Sequence, residues 1–156
     1  MRLFTTSLFL AMTGAAFGGG ASYDVSGSTV GKSDNKIVPM SETQLYIDLN
    51  SQYTLADNGT PLAGMNGDCM GYMEVMVGIG AKGSGVCVWA DADGDTWFGP
   101  WTVSGMGADG TSAGTWYVSG GTGKFENANG GGTFGSRTNP ETGETALDVS
   151  GSVTLN

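Results

Sequence analysis

Thr145-Ala146-Leu147-Asp148-Val149-Ser150-Gly151-Ser152-Val153-Thr154-Leu155 is the stretch that decides the fold. Thr145, Leu147, Val149, Val153 and Leu155 alternate with Glu144, Asp148, Ser150, Ser152 and Thr154. A period of two gives a strand with one dry face and one wet face. Working outward, similar short segments run from Tyr23 to Val30, Thr43 to Leu49, Asp68 to Val77, Gly85 to Asp91, Asp95 to Val103, Ala113 to Val118 and Gly132 to Arg137. Turn residues separate them, and no stretch carries a sustained 3.6-residue apolar period. The class is therefore all-β, with about eight short strands in a sandwich or a closed barrel. Residues 31–41 hold Gly, Ser, Asp, Asn and Pro39 and read as a loop. Phe125-Glu126-Asn127-Ala128 has room for one helical turn.

Glycine supplies 29 of the 156 residues, without a three-residue period and with aromatics and valine interleaved. That is the composition of a turn-rich β protein rather than a collagen or a flexible linker. The pentapeptide Asp-Val-Ser-Gly-Ser occurs at Asp24–Ser28 and again at Asp148–Ser152, in the first and last expected strands. If a barrel closes, these two strands are the ones that meet, and closure removes both exposed edges.

The chain opens with Met1-Arg2, an apolar run through Leu3, Phe4 and Leu8 to Met12, and then the small residues Gly14-Ala15-Ala16. This is the layout of a secretory signal peptide over residues 1–20, with cleavage expected between Ala16 and Ser22. Residues 21–156 then form a single domain, secreted or periplasmic. The run is too short to span a bilayer, and no other approaches the roughly 20 apolar residues that spanning needs. A formal charge of −9 disfavours nucleic acid and anionic membranes as partners.

Histidine is absent, which excludes Ser-His-Asp and Cys-His nucleophilic machinery and His-ligated zinc. Cys69 and Cys87 are the only cysteines, so thiolate-held clusters are excluded as well. In an exported chain the pair most simply forms one disulfide, closing a hairpin that turns near Gly78. No cofactor is implied by any motif. Gly123-Lys124 resembles a phosphate loop only superficially, because Phe125 follows where Ser or Thr is required and Val118 stands at the needed glycine.

Three constellations remain. Asp91, Asp93 and Asp95 surround Gly94, which reads first as an Asp-Gly hairpin turn and second as a weak calcium site. With a three-residue loop, Trp89 faces Trp97, and parity puts Cys87, Trp89, Trp97 and Trp101 on one face. Such a stripe is either core or the lining of a pocket for an apolar ligand. Glu74 sits among Tyr72, Met73, Val75 and Met76, and parity within the strand leaves open which face is inside. Facing inward, Glu74 would be a desolvated general acid or base beside Tyr72; facing water, it has no such role.

Gly120-Gly121-Thr122-Gly123-Lys124-Phe125-Glu126-Asn127-Ala128-Asn129-Gly130 resembles the late-barrel signature of the dirigent and allene oxide cyclase-like proteins. In those families Gly-Gly-Thr-Gly ends a strand, a basic and an aromatic residue follow, and an Ala-x-Gly turn leads to the last strands. Cys87 to Asp95 also resembles a Cys-x-x-x-Asp-x-Asp-Gly-Asp stretch of secreted bacterial proteins of undefined role. The resemblance covers roughly Cys69 to Leu155. It implies an eight-stranded antiparallel up-and-down barrel able to hold one small apolar ligand. The plant members steer radical coupling or cyclise a fatty-acid epoxide, but their pocket acids and arginines have no matching positions here. The leading expectation is a barrel that binds a small hydrophobic molecule at Tyr72, Trp89, Trp97 and Trp101 without chemistry. The alternatives are a cofactor-independent cyclase or isomerase using Glu74, and a structural protein with a filled barrel.

Overall fold

The computed structural model describes residues 20–156. Residues 1–19 of the leader read from the sequence lie outside that range. Among the described residues the chain is almost entirely strand, arranged as a closed antiparallel barrel of eight staves. Seven staves are the strands β4 (Gln44–Thr54), β5 (Asn66–Met76), β6 (Gly80–Ala90), β7 (Thr96–Met106), β8 (Ser112–Val118), β10 (Asn129–Thr138) and β11 (Glu144–Leu155). Consecutive staves pair as hairpins, except that the two-residue β9 (Gly120–Gly121) and a 3₁₀ turn at Gly123–Phe125 intervene before β10.

The eighth stave is the interrupted path β1 (Ala21–Asp24), β2 (Gly27–Ser33) and β3 (Lys36–Ser41). Its first part pairs with β11, and its second part pairs with β4 in a register that continues from Lys32↔Gln52 to Lys36↔Asp48. This stave closes the barrel. The two Asp-Val-Ser-Gly-Ser copies lie against each other along the seam, Asp24 opposite Ser152 and Ser28 opposite Asp148. The Val25 N–H donates to the Gly151 carbonyl at 3.1 Å, and the Gly151 N–H donates back to the Ser26 hydroxyl at 3.2 Å. Ser28 also bonds the Asp148 carboxylate.

Two local expectations are corrected. The segment expected to be a loop contains β3, whose residues are all exposed and which pairs with β4 alone. Main-chain pairing rather than burial holds it, and on a free edge the missing N–H of Pro39 is tolerated. The helical turn spans Gly123–Phe125 rather than beginning at Phe125, because the Phe125 and Glu126 N–H groups donate to the Thr122 and Gly123 carbonyls and the Ala128 N–H to that of Phe125.

One end of the barrel is sealed. Leu62, Met65, Phe125 and Val153 are all at most 1 % exposed and pack there, beneath the β4–β5 loop and the 3₁₀ turn. At the other end the link between β2 and β3 at Asp34 and Asn35, the turn after β7 at Gly110 and the turn after β10 at Asn139–Gly143 line an open mouth. The Gly94 tip has φ +88° and the Asp91 N–H bonds the Asp95 carbonyl at 3.0 Å, as the Asp-Gly hairpin reading requires. The β5–β6 turn contains Gly78 at φ +78°, where the sequence placed it.

Candidate functional site: the barrel lumen

Register fixes what faces inward. Trp89 lies directly opposite Trp97, and their rings are 5.7 Å apart and 18° from parallel. Cys69 lies opposite Cys87 and the two are joined by a disulfide with Cα atoms 4.0 Å apart. Cys87, Trp89, Trp97 and Trp101 share the lumen face, joined by Tyr53, Cys69, Met73, Trp116 and Phe134. Four rings form a chain, Tyr53 to Trp89 at 6.5 Å and Trp97 to Trp116 at 5.8 Å, and Trp101 stands edge-on to Phe134 at 6.4 Å as a separate pair.

Because Cys69 and Met73 face inward, Tyr72 and Glu74 project outward. Tyr72 stacks on Tyr46 at 6.0 Å on the outer wall, and Glu74 pairs with Lys82 at 3.1 Å. The inward orientation on which the acid–base reading of Glu74 depended is occupied by Met73 instead. Sequence reasoning missed Tyr53, Trp116 and Phe134. The signal for Trp116 was its parity with Gly114 and Ser112 in a strand too short to show a clear alternation.

The lumen is a cavity of about 550 Å³. It stays hollow because its bulkiest side chains rest on glycine. A methyl group at Gly67 would fall 2.4 Å from the Trp89 ring, and methyls at Gly71 and Gly85 would fall 2.6 and 2.3 Å from Trp101. Trp116 meets Gly151 in the same way, at 2.9 Å. Each indole thus occupies space that a Cβ would otherwise take, leaving the centre free. The indole N–H groups of Trp97, Trp101 and Trp116 are buried and have no hydrogen-bond partner in the protein. The atoms of Trp101 and Trp116 nearest those glycines belong to the nitrogen-bearing side of the ring, whereas Trp89 rests on Gly67 by its nitrogen-free edge.

Polar groups gather toward the mouth. The Ser33 and Ser51 hydroxyls share a 2.7 Å bond, Ser112 donates to the Ser136 carbonyl at 3.0 Å, and Thr138 donates to Thr145 at 3.0 Å. These hydroxyls satisfy one another or the backbone. Asp34 and Glu141 stand at the rim, and no lysine or arginine is among the lining residues. Arg137 belongs to a rim strand but has outward parity, and Lys36 shares the parity of Asp34 without being among the lining residues.

At the sealed end the three aspartates surround a cation that the chain itself provides. Lys124 pairs with the buried Asp91 carboxylate and reaches Asp93 at 3.6 Å, while its backbone N–H donates to Asp95 at 3.2 Å. Lys124 holds the Asp91 carboxyl below its usual range, and Asp91 in turn raises the Lys124 ammonium. Among the described residues no group of three or more His, Cys, Asp or Glu side chains is arranged to hold a metal ion. The ammonium also lies 5.5 Å from the Phe125 ring centre, tying the hairpin tip to the plug.

A closed eight-stranded antiparallel barrel with this hairpin order is a dirigent-like fold. Among solved structures, the chain is similar to that of the pterocarpan synthase dirigent protein GePTS1, at 12 % identity over 86 % of each chain with a TM-score of 0.51. At that identity the likeness is one of fold. No family model and no curated protein matches the chain.

Proposed function

We propose that this protein is an exported barrel that binds one small hydrophobic molecule in its lumen. The observation that carries the reading is the cavity of about 550 Å³ lined by Trp89, Trp97, Trp101 and Trp116, within the size range of small-molecule sites. A filled, purely structural barrel would have no such space. Binding without chemistry is favoured because the lining holds no histidine, lysine or arginine and its carboxylates stand at the rim. Export is supported by the leader-like first residues and by the Cys69–Cys87 disulfide, a bond typical of oxidising compartments.

The test is titration with a neutral apolar fluorophore such as N-phenylnaphthylamine. Saturable one-to-one binding with a change in tryptophan emission is expected, weakened in Trp97→Ala. Absence of saturable binding by any neutral apolar probe would overturn the reading. Conversion of a bound compound would replace it with the cyclase or isomerase alternative.

A further inference from the structure

We propose that the lumen selects a soft organic cation, an ammonium whose charge is spread over alkyl groups and carried on an apolar body. The inference rests on the reading of the lumen as a ligand site and adds the charge of the ligand. The π faces of tryptophan are the most favourable aromatic surface for a cation, and four tryptophans line one cavity here. With the nitrogen-bearing sides of Trp101 and Trp116 against the glycine wall, a ligand beside these two rings meets carbon surface rather than N–H donors. An anion finds no cationic side chain among the lining residues, and burying it unpaired is costly.

The charge distribution outside the lumen acts in the same direction. Asp34 and Glu141 flank the mouth, and the chain carries a formal charge of −9. The charged residues that line the cavity are thus of one sign, and such a lining attracts ligands of the opposite sign. No carboxylate waits deeper in the aromatic band, so a strongly hydrated cation such as a primary ammonium would lose its water without compensation. A quaternary or bulky tertiary ammonium is weakly hydrated, and the ring faces can replace what it loses.

The test uses matched probes in isothermal titration calorimetry on the mature protein. They are para-trimethylammoniophenol, its neutral carbon isostere para-tert-butylphenol, and the anion para-tert-butylbenzoate. The cation is expected to bind about tenfold more tightly than the neutral isostere, and the anion more weakly than either. In Asp34→Asn/Glu141→Gln the cation should lose about threefold in affinity at low salt while the neutral probe is unchanged. Both positions are at the rim, so an unchanged melting temperature verifies folding. Neutral or anionic probes binding as tightly as the cation would overturn the cation preference and leave the lumen reading standing. An unaltered cation affinity in the rim variant would overturn the role of the acidic mouth. If none of the three binds, and neutral fluorophores also fail, the lumen reading itself falls.

Discussion

Reducing the Cys69–Cys87 disulfide isolates a single covalent constraint, because every other side chain stays as it was. The bond closes a segment with a sequence separation of 18. On the chain-entropy estimate, such a loop restricts the unfolded ensemble by about 3 kcal/mol at 25 °C. The cysteines already sit directly opposite each other in the β5–β6 register, so the native hairpin needs no rearrangement when the bond is absent. Almost the whole effect should therefore appear as unfolded-state entropy. Protein unfolded, reduced and refolded under reductant should remain a barrel but unfold in urea with a midpoint lower by roughly 2 M, taking a slope of about 1.5 kcal/mol/M. The slope itself should increase, since the uncrosslinked chain unfolds to a more expanded state. Coincident midpoints for oxidised and reduced protein would refute the reasoning. Two free thiols on alkylation of denatured, unreduced protein would refute the bridge.

Gly67→Ala should push the Trp89 ring into the lumen, since the ring is what the new methyl meets. A loss of about 1–3 kcal/mol in urea unfolding and a weaker neutral-probe titration are expected, and unchanged probe affinity would contradict the glycine-floor account. In Lys124→Met the hairpin tip loses its cation. The Asp91 carboxyl is depressed below its ordinary 3.8 in the folded state, so its contribution is complete above that pH and is lost as pH falls below it. Lys124 is raised above 10.5, so its contribution is complete below that pH and is lost as pH rises past the folded value. The gap in melting temperature between wild type and variant should thus be flat from about pH 5 to about pH 10 and narrow at either extreme; a gap insensitive to acid would show that the ion pair does not tie the tip down. Glu74→Gln removes only a partly exposed outer ion pair with Lys82 and should shift stability by less than about 1 kcal/mol while leaving probe binding intact. A mass spectrum of protein exported by its native host should show a mature N-terminus between Ala16 and Ser22, and retention of Met1 would sink the export reading.

Much of the fold was legible because hairpin turns and strand alternation are local signals. The Trp89↔Trp97 register followed from one three-residue loop, and the seam between the two pentapeptides followed from their place at the chain's ends. What stayed hidden depended on coupling between strands. Parity within β5 alone could not orient Glu74, yet the same sequence placed Cys87 on the tryptophan face and paired it with Cys69. A disulfide across a directly opposed pair forces both cysteines to one side, so the odd residues of β5 face the tryptophans and Glu74 faces out. The β3 strand was hidden for a different reason. All of its side chains are exposed, so burial leaves no imprint on its sequence.

Glycine carried a second meaning that turn counting does not reach. Gly67, Gly71, Gly85 and Gly151 lie inside strands, on the inner face, beneath aromatic rings that come from other strands. A strand interior is a costly place for glycine unless its missing side chain makes room for something. In this barrel it makes room for indoles, which trade one large ring for an absent neighbour and so line the wall without filling the centre. An aromatic stripe of this kind would be solid core if alanine or valine stood opposite, because the rings would be driven inward until they met. The pairing of inward tryptophan with inward glycine across neighbouring strands is therefore the feature that separates a hollow barrel from a filled one. It is readable wherever the register is known, and the hairpin turn at Gly94 together with the Cys69–Cys87 bond supplies that register for β5, β6 and β7.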